Sequence, residues 1–590
     1  MPLVGPGPAT RFARLDGLDR AHGRRPRSSP LSHATASHRT DTASSDIPPP
    51  SGDANPILTG YRVGQDNLRG HWLVPFDIHG AVFLTSALTV LLFVVLTLVF
   101  REAVEPLFTG LRDLLTGRLN GFFLGAANVF VVLCLALVVS PLGRVRLGGT
   151  QARPDYSYGS WFSMLFAAGM GIGLMFYGVA EPISHYQTAL AGPQLGEGGA
   201  RIDWAPLAGA PGNPAEAARL SMAASIFHWG LHPWAIYAIV ALALALFSFN
   251  KGLPLSIRSI FHPLLGERVW GWPGHVIDIL AVFATLFGLV TSLGLGAEQA
   301  AAGIDFLFGT GASLTAKVVL IVAITLVTLS SVAAGVNKGI KRMSELTMIL
   351  AVALLFFVVL AGPTRVLLAG TLDNLGAYLQ YLPALSNPLE RSDAAFSQGW
   401  TAFYWAWWVS WSPFVGMFIA RISRGRTVRE FLIAVLLVPS LVSVFWMSSF
   451  GGAALHQVFS GLAGVQEAAL ELKLFVMLAH LPWSAITSFV GIVLALLFFI
   501  TSSDSGSLVI DTITAGGKLN APVVQRVFWV VLQGVLAIVL LVGGGLAALQ
   551  AMAVSTGLPF TFVLLVGCVA VVKGLLSEPR GQVRRSMAGG

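Results

Sequence analysis

Long apolar runs alternate along the chain with short joints rich in glycine, proline and charge. Each run reaches the roughly 20 residues a helix needs to cross the hydrocarbon core of a bilayer. Such runs lie near 78–100, 121–141, 158–186, 222–249, 275–301, 316–336, 346–362, 396–421, 431–450, 483–503, 523–542 and 551–572. Backbone in lipid must satisfy its own polar groups, which a helix does within one segment. The pattern predicts an all-α membrane protein of about twelve transmembrane helices.

The joints then give an orientation. Arg144, Arg146 and Arg153 follow the second run, and Lys251, Arg258 and Arg268 the fourth. Lys338, Lys341 and Arg342 follow the sixth, and Arg421, Arg424, Arg426 and Arg429 the eighth. Lys518 and Arg526 follow the tenth, and Arg580, Arg584 and Arg585 the last. Every even-numbered exit is basic, so a multi-pass protein of the cell membrane with both termini cytoplasmic is expected. In the joint after the first run, Arg101, Arg112 and Arg118 are offset by Glu102, Glu105 and Asp113. Trp270, Trp272, Trp483 and Tyr61 read as interfacial anchors. Residues 1–56 are rich in Arg, Ser, Pro and His and read as a disordered cytoplasmic tail. They lack the apolar stretch of a cleaved signal peptide.

Composition agrees. Of 590 residues, 55% are hydrophobic and 11% charged, where soluble domains carry about a quarter charged. The mean hydropathy is +0.73. A net charge of +8 would suit a nucleic-acid partner, but the positive residues occupy the joints, so lipid and not nucleic acid is the expected partner. Cys134 and Cys568 fall inside apolar runs and read as small buried hydrophobes, without a disulfide framework or metal cluster. An enzyme would need a membrane-facing acid, base, nucleophile or metal cluster, and none is visible, so neither an enzyme nor a resident cofactor is expected. An ion channel is the alternative class.

The third run contains Gly169, Gly171 and Gly173 within five residues. Each glycine weakens a helix by about 1 kcal/mol relative to alanine. Clustered at mid-membrane depth, they predict an unwound stretch, which is tolerated only where it lines a cavity. Its carbonyls could then hold a cation or a substrate. Close helix packing through small residues is the alternative.

Tryptophans cluster in two other runs. The fourth holds His228, Trp229, His232, Trp234 and Tyr237; the eighth holds Trp405, Trp407, Trp408 and Trp411. Trp407 and Trp411 share a helix face by their four-residue spacing. These rings belong by habit at membrane interfaces, yet they sit deep in an apolar run beside Pro413, where a helix break is expected. A box of aromatic faces attracts a quaternary ammonium by cation–π forces, up to about 2 kcal/mol per ring when desolvated. Such a cation needs no hydrogen-bond acceptor, which would explain a site without a buried acid.

Ionisable residues are scarce in the apolar cores. Glu181 and Asp504 are placed at span edges, and His228 and His232 as packing or gate residues. The tenth run ends in Thr501, Ser502 and Ser503, whose hydroxyls suit a small cation such as sodium, although they more often bond back to their own helix.

Several segments together resemble the betaine/carnitine/choline transporter family: GMGIGLMFYGVAEP (169–182), FHWGLHPWAIYA (227–238), TLFGLVTSLGLG (285–296), YWAWWVSWSPFVGMFIARISRGRTVREF (404–431) and TSSDSGSLV (501–509). The resemblance spans about residues 65–575. It implies two inverted five-helix repeats of the LeuT kind preceded by two extra helices. The organisation would be a tail (1–56), two peripheral helices (57–157), a first repeat (158–370), a second repeat (371–575) and a short tail (576–590). It also implies a homotrimer. By resemblance, Trp229, Trp234 and Tyr237 form one wall of the aromatic box and Trp407, Trp408 and Trp411 the other. Met170 and Gly173 lie on the substrate path. Ala167, Met170, Phe498, Thr501 and Ser502 match one sodium site, and Thr285 and Phe414 part of a second. Leu289 stands where a further hydroxyl can occur, and a leucine supplies no oxygen. A choline-preferring branch has an aspartate at the position of Gly173, so glycine favours the zwitterion betaine. Osmosensing members carry long basic C-terminal helices, whereas Gly574 to Gly590 is short.

The expected activity is sodium-driven uptake of a quaternary-ammonium compatible solute, glycine betaine first, by alternating access. Proton-coupled choline uptake and carnitine/precursor antiport are the alternatives.

Overall fold

A computed structural model describes residues 47–71, 74–199, 205–333, 337–389 and 396–579. Among the described residues the regular structure is helical apart from one antiparallel hairpin, Asn67–His71 with Pro75–His79, just ahead of the first helix. Most of the tail expected over 1–56 lies outside the described residues, as do Arg580, Arg584 and Arg585. Within that tail, Ser51 and Asp53 are pinned to the 148–151 loop by backbone bonds, among them Ser51 N–H to Gly148 O at 2.8 Å.

The first helix, α1 (Gly80–Val99), is followed after Phe100 by the 39-residue α2 (Arg101–Val139). The charged stretch expected as a joint is thus the opening of α2, with Arg112 and Asp113 paired on its exposed side. The third span is two helices, α3 (Tyr158–Gly169) and α4 (Ile172–Ala191), bent by 62°. The fourth is also two, α5 (Pro214–Trp229) and α6 (Leu231–Ala245), interrupted at Gly230. Next come α7 (Trp272–Phe308), α8 (Leu314–Ala333) and α9 (Asn337–Ala361). The helix α10 (Thr364–Leu385) is not apolar enough to be a span, and the domain boundary expected at 370/371 falls inside it. Then follow α11 (Ala402–Ile422), α12 (Val428–Phe459), the short α13 (Lys473–Ala479), α14 (Ser484–Thr514) and α15 (Val523–Leu576).

Among the described residues, nine helices are long and apolar enough to cross a membrane, ten if α3 and α4 count as one span. The expected twelve are reached only by also counting α11 and the two limbs of α15. That helix departs from helical geometry at Gly544 and Gly545, and Gly545 has φ 57°, a left-handed conformation natural to glycine.

Burial separates the elements. In Pro214–Asn250, 94% of the most apolar window is buried, against 33% in α1 and 22% in α8. The α5–α6 pair is therefore central, while α1 and α8 present leucine and valine outward, as helices facing lipid do. Around this centre α7, α14 and α15 pack on one another, α6 packs on α11, and α4 packs on α5. Of the expected anchors, Trp272 and Trp483 are exposed, while Tyr61 stacks on Trp270 with ring centroids 4.2 Å apart.

A buried clip joins the segments flanking the helical body. Lys251 Nζ sits 2.5 Å from a Glu578 carboxylate oxygen and donates to Asn55 O at 3.0 Å and Ser577 Oγ at 2.7 Å. Asn250 Nδ2 donates to the other Glu578 oxygen at 3.0 Å, and Ile57 N–H bonds Lys251 O.

Candidate functional site

The glycine-rich stretch unwinds where its composition predicts. Met170 (φ −86°, ψ 127°) and Gly171 (φ −163°, ψ 177°) are extended, which frees backbone groups between α3 and α4. A second interruption, at Gly230, is not among the expectations from sequence. It places Trp229 at the end of α5, and Pro233 near the start of α6 helps to force it, since its ring excludes a bond to the preceding turn. The break expected at Pro413 is absent: α11 runs through it. Proline leaves the Val409 carbonyl without its helical donor, and the Ser412 hydroxyl supplies one at 2.7 Å.

These elements surround a cavity of about 430 Å³, counted to its open mouth. It is lined by 168–173 from the unwound stretch, Trp229, Tyr237, Ser292, Trp407, Trp408 and Trp411. No charged side chain is among these. Trp229 meets Trp407 (6.2 Å, 88°) and Trp408 (5.3 Å, 78°) edge to face, and Tyr237 meets Trp408 (5.1 Å, 64°). Gly173 makes this possible, because a Cβ there would lie 2.5 Å from the Trp229 ring and 2.8 Å from that of Trp407.

The indole N–H groups of the four lining tryptophans are all engaged. Trp407 donates to Ser292 Oγ (3.2 Å), and Trp411 donates to Ser292 Oγ (3.1 Å) and Gly288 O (2.9 Å). Trp408 donates to His228 O (3.1 Å) and Trp229 to Glu181 Oε2 (2.9 Å). Rings locked by their polar edges leave π surface for a ligand.

Of the sequence-predicted box, Trp229, Tyr237, Trp407, Trp408 and Trp411 come together with Met170 and Gly173. Trp234 does not line the cavity; it is fully buried behind Tyr237 (5.5 Å) and Trp408 (6.2 Å) and against Gly169. Ser292 joins the lining without having been predicted, although it lies in the quoted 285–296 segment as a hydroxyl on an otherwise apolar face.

For the expected sodium residues, Ala167 is half-buried near the end of α3, while Phe498, Thr501 and Ser502 lie within α14. Ile172, just past the break, and Phe499 both pack on Gly296, so the two groups sit on neighbouring elements. Thr501 Oγ1 bonds back to Leu497 O (2.9 Å) and Phe498 O (3.2 Å). Thr285 bonds back to Ala281 O (2.8 Å), and Phe414 packs on Trp411. Leu289 fills the surface offered by Gly506. The 501–509 motif lies inside α14, which continues to Thr514, rather than at a helix end. Asp504 is accordingly buried and paired with Arg526 instead of lying at an edge.

Glu181 is the larger departure. It is fully buried within α4, one layer behind the aromatic cavity. Glu181, His185 and His228 each offer a ligand atom within 4.8 Å of the others, the one such trio among the described residues. The trio could hold a metal ion, but it is already hydrogen-bonded within itself.

The profile of the betaine/carnitine/choline family transporters matches residues 81–580. The chain belongs to that transporter family. A glycine betaine/proline/choline transporter of Vibrio parahaemolyticus is 62% identical over 90% of this chain and 96% of its own length. Glycine betaine transporter 1 of the same organism is 52% identical over 88% and 97%. The glycine betaine transporter OpuD of Bacillus subtilis is 43% identical over 79% and 88%. Among solved structures, a manganese transporter mutant of Eremococcus coleocola aligns over 72% of this chain and 88% of its own at 11% identity, with a TM-score of 0.37, too distant to carry an argument. As a betaine/carnitine/choline family member, the chain is a multi-pass membrane transporter, and the aromatic cavity between broken helices is its candidate substrate site.

Proposed function

We propose that this transporter imports a small quaternary-ammonium solute, glycine betaine foremost, by sodium symport through alternating access. One observation carries the reading: an uncharged cavity walled by Trp229, Trp407, Trp408 and Tyr237 opens beside the unwound Met170–Gly171 stretch. A trimethylammonium group suits indole faces because it has a diffuse charge and no donor or acceptor to satisfy, and each desolvated ring contributes up to about 2 kcal/mol. The names of the relatives, which speak of glycine betaine, proline and choline, support the same class. Gly173 favours betaine over choline, because glycine adds no carboxylate to meet a cation that lacks one of its own. Backbone oxygens of Ala167 and Met170 with Phe498, Thr501 and Ser502 form the proposed sodium site, and Thr285 and Phe414 remain partial ligands of a second. The membrane potential adds about 2.3 kcal/mol per charge per 100 mV to an electrogenic cycle. The active form is a homotrimer of two-repeat subunits with cytoplasmic termini.

Uptake of labelled glycine betaine into proteoliposomes, with and without an inward sodium gradient, tests the proposal. Accumulation that collapses without sodium supports it; uptake indifferent to sodium removes the coupling. Choline, carnitine, dimethylsulfoniopropionate and proline as competitors rank the substrates. A second reading, proton coupling, is favoured by the buried Glu181–His228 pair, and it predicts accumulation driven by a proton gradient alone.

A further inference from the structure

We propose that Glu181 is a positioning residue for the aromatic cavity, holding Trp229 and Tyr404 by their polar edges and tuning the rings for a cation. The inference rests on the reading of the cavity as a quaternary-ammonium site. The carboxylate is fully buried, and four groups from three helices converge on it. Oε2 accepts from Trp229 Nε1 at 2.9 Å and from the Tyr404 hydroxyl at 2.6 Å. Oε1 faces His228 Nδ1 at 2.6 Å and His185 Nε2 at 3.2 Å. An indole N–H only donates, and two partners on each oxygen is the inventory of an ionised carboxylate. Tyr404 also stacks on His228 at 4.6 Å with the rings 14° apart, and it meets Trp229 edge to face at 5.6 Å.

The charge-assisted bonds fix the rotamer of Trp229, whose ring forms a wall of the cavity. They also place a negative charge behind that wall, bonded to the ring through its N–H. Charge drawn toward the indole enriches its π face, the surface to which a quaternary ammonium is electrostatically attracted. The low dielectric of the interior strengthens the effect. A cavity with no acid in its lining thus gains cation preference from an acid one layer out, which a bare hydrophobic box would lack.

The experiment replaces the charge and keeps the shape. Binding of labelled glycine betaine to purified protein is measured in wild type and Glu181→Gln, with 3,3-dimethylbutanoate, an uncharged-headgroup analogue with carbon in place of nitrogen, as competitor. The expected result is a glycine betaine Kd raised at least tenfold, with competition by the analogue unchanged within threefold or strengthened. Tyr404→Phe, which removes one donor, should raise the glycine betaine Kd relative to that of the analogue two- to fivefold, and if Glu181→Gln fails to give a monodisperse protein this ratio carries the test, an unchanged ratio overturning the inference. Equal weakening of both ligands, or an unchanged Kd for glycine betaine, overturns the inference. Absence of glycine betaine binding in the wild type overturns the reading of the cavity instead.

Discussion

The hydroxyl of Ser412 donates to the carbonyl of Val409 across 2.7 Å, at the position where Pro413 withholds the helical bond. An unpaired buried carbonyl costs about 1–3 kcal/mol. Ser412→Ala should therefore lower the melting temperature of the purified protein and admit a kink into α11, whereas Ser412→Thr should keep both near wild type. A scanning fluorimetry series reads this directly; equal melting of all three proteins would remove the role given to this hydroxyl.

Gly173 has no room for a methyl group. A Cβ at this position would press on two indoles, and overpacking of this kind costs about 1–3 kcal/mol. Gly173→Ala should leave a folded protein whose glycine betaine affinity falls tenfold or more, because the displaced rings are those of the cavity. Unchanged binding would mean that Trp229 and Trp407 do not form the wall.

Ser292 holds two indoles at once. Trp411 also donates to Gly288 O, but the bond from Trp407 goes to the serine hydroxyl, so deleting that hydroxyl strands the Trp407 N–H at a cost of about 1 kcal/mol or somewhat more. Ser292→Ala should weaken glycine betaine binding about five- to tenfold by equilibrium titration. Trp411→Leu, which deletes a ring, should weaken it far more severely, and the reverse ranking would count against the geometry.

Acid should loosen the hairpin ahead of α1. Burial alone would raise the Asp77 carboxyl, but hydrogen bonds from Lys518 and Asn67 override it and hold the group below the usual carboxylate range. A depressed folded value stabilises above the unfolded value near 3.9 and loses that contribution as pH falls through the folded one. Hydrogen-exchange protection across 67–79, taken relative to the intrinsic rate at each pH, should therefore fall on acidification below about pH 4. Asp77→Asn should exchange fast at all pH values; protection that is independent of both pH and this substitution would refute the link.

The parts legible from sequence are those written in composition. Three glycines in five residues concentrate helix weakness at one spot, and the chain opens there. Tryptophans at three- and four-residue spacing share a face whatever the surroundings, so the Trp407, Trp408 and Trp411 side of the cavity can be named from spacing, whereas Trp229 and Tyr237 are named through the family resemblance. The departures have a common physical origin in compensation by neighbours. Pro413 reads as a break until Ser412 is seen to bond Val409. Glu181 reads as an edge residue by its distance along the run, but the 62° bend and the partners on α5 and α11 turn it inward. Gly230 and Pro233 do signal a break, but the aromatic rings around them give the same segment a second meaning, as a binding wall. The 67–79 hairpin is too short and polar to stand out beside apolar helices.

Lys251 fastens Asn55, Ser577 and Glu578 at one buried point. The strand of chain ahead of α1 and the tip of α15 therefore share a single rivet on the connection after α6. If α15 tilts during a transport cycle, residues 55–57 must be dragged along or the rivet must shear. Fluorophores attached near either end would then report one motion, not two.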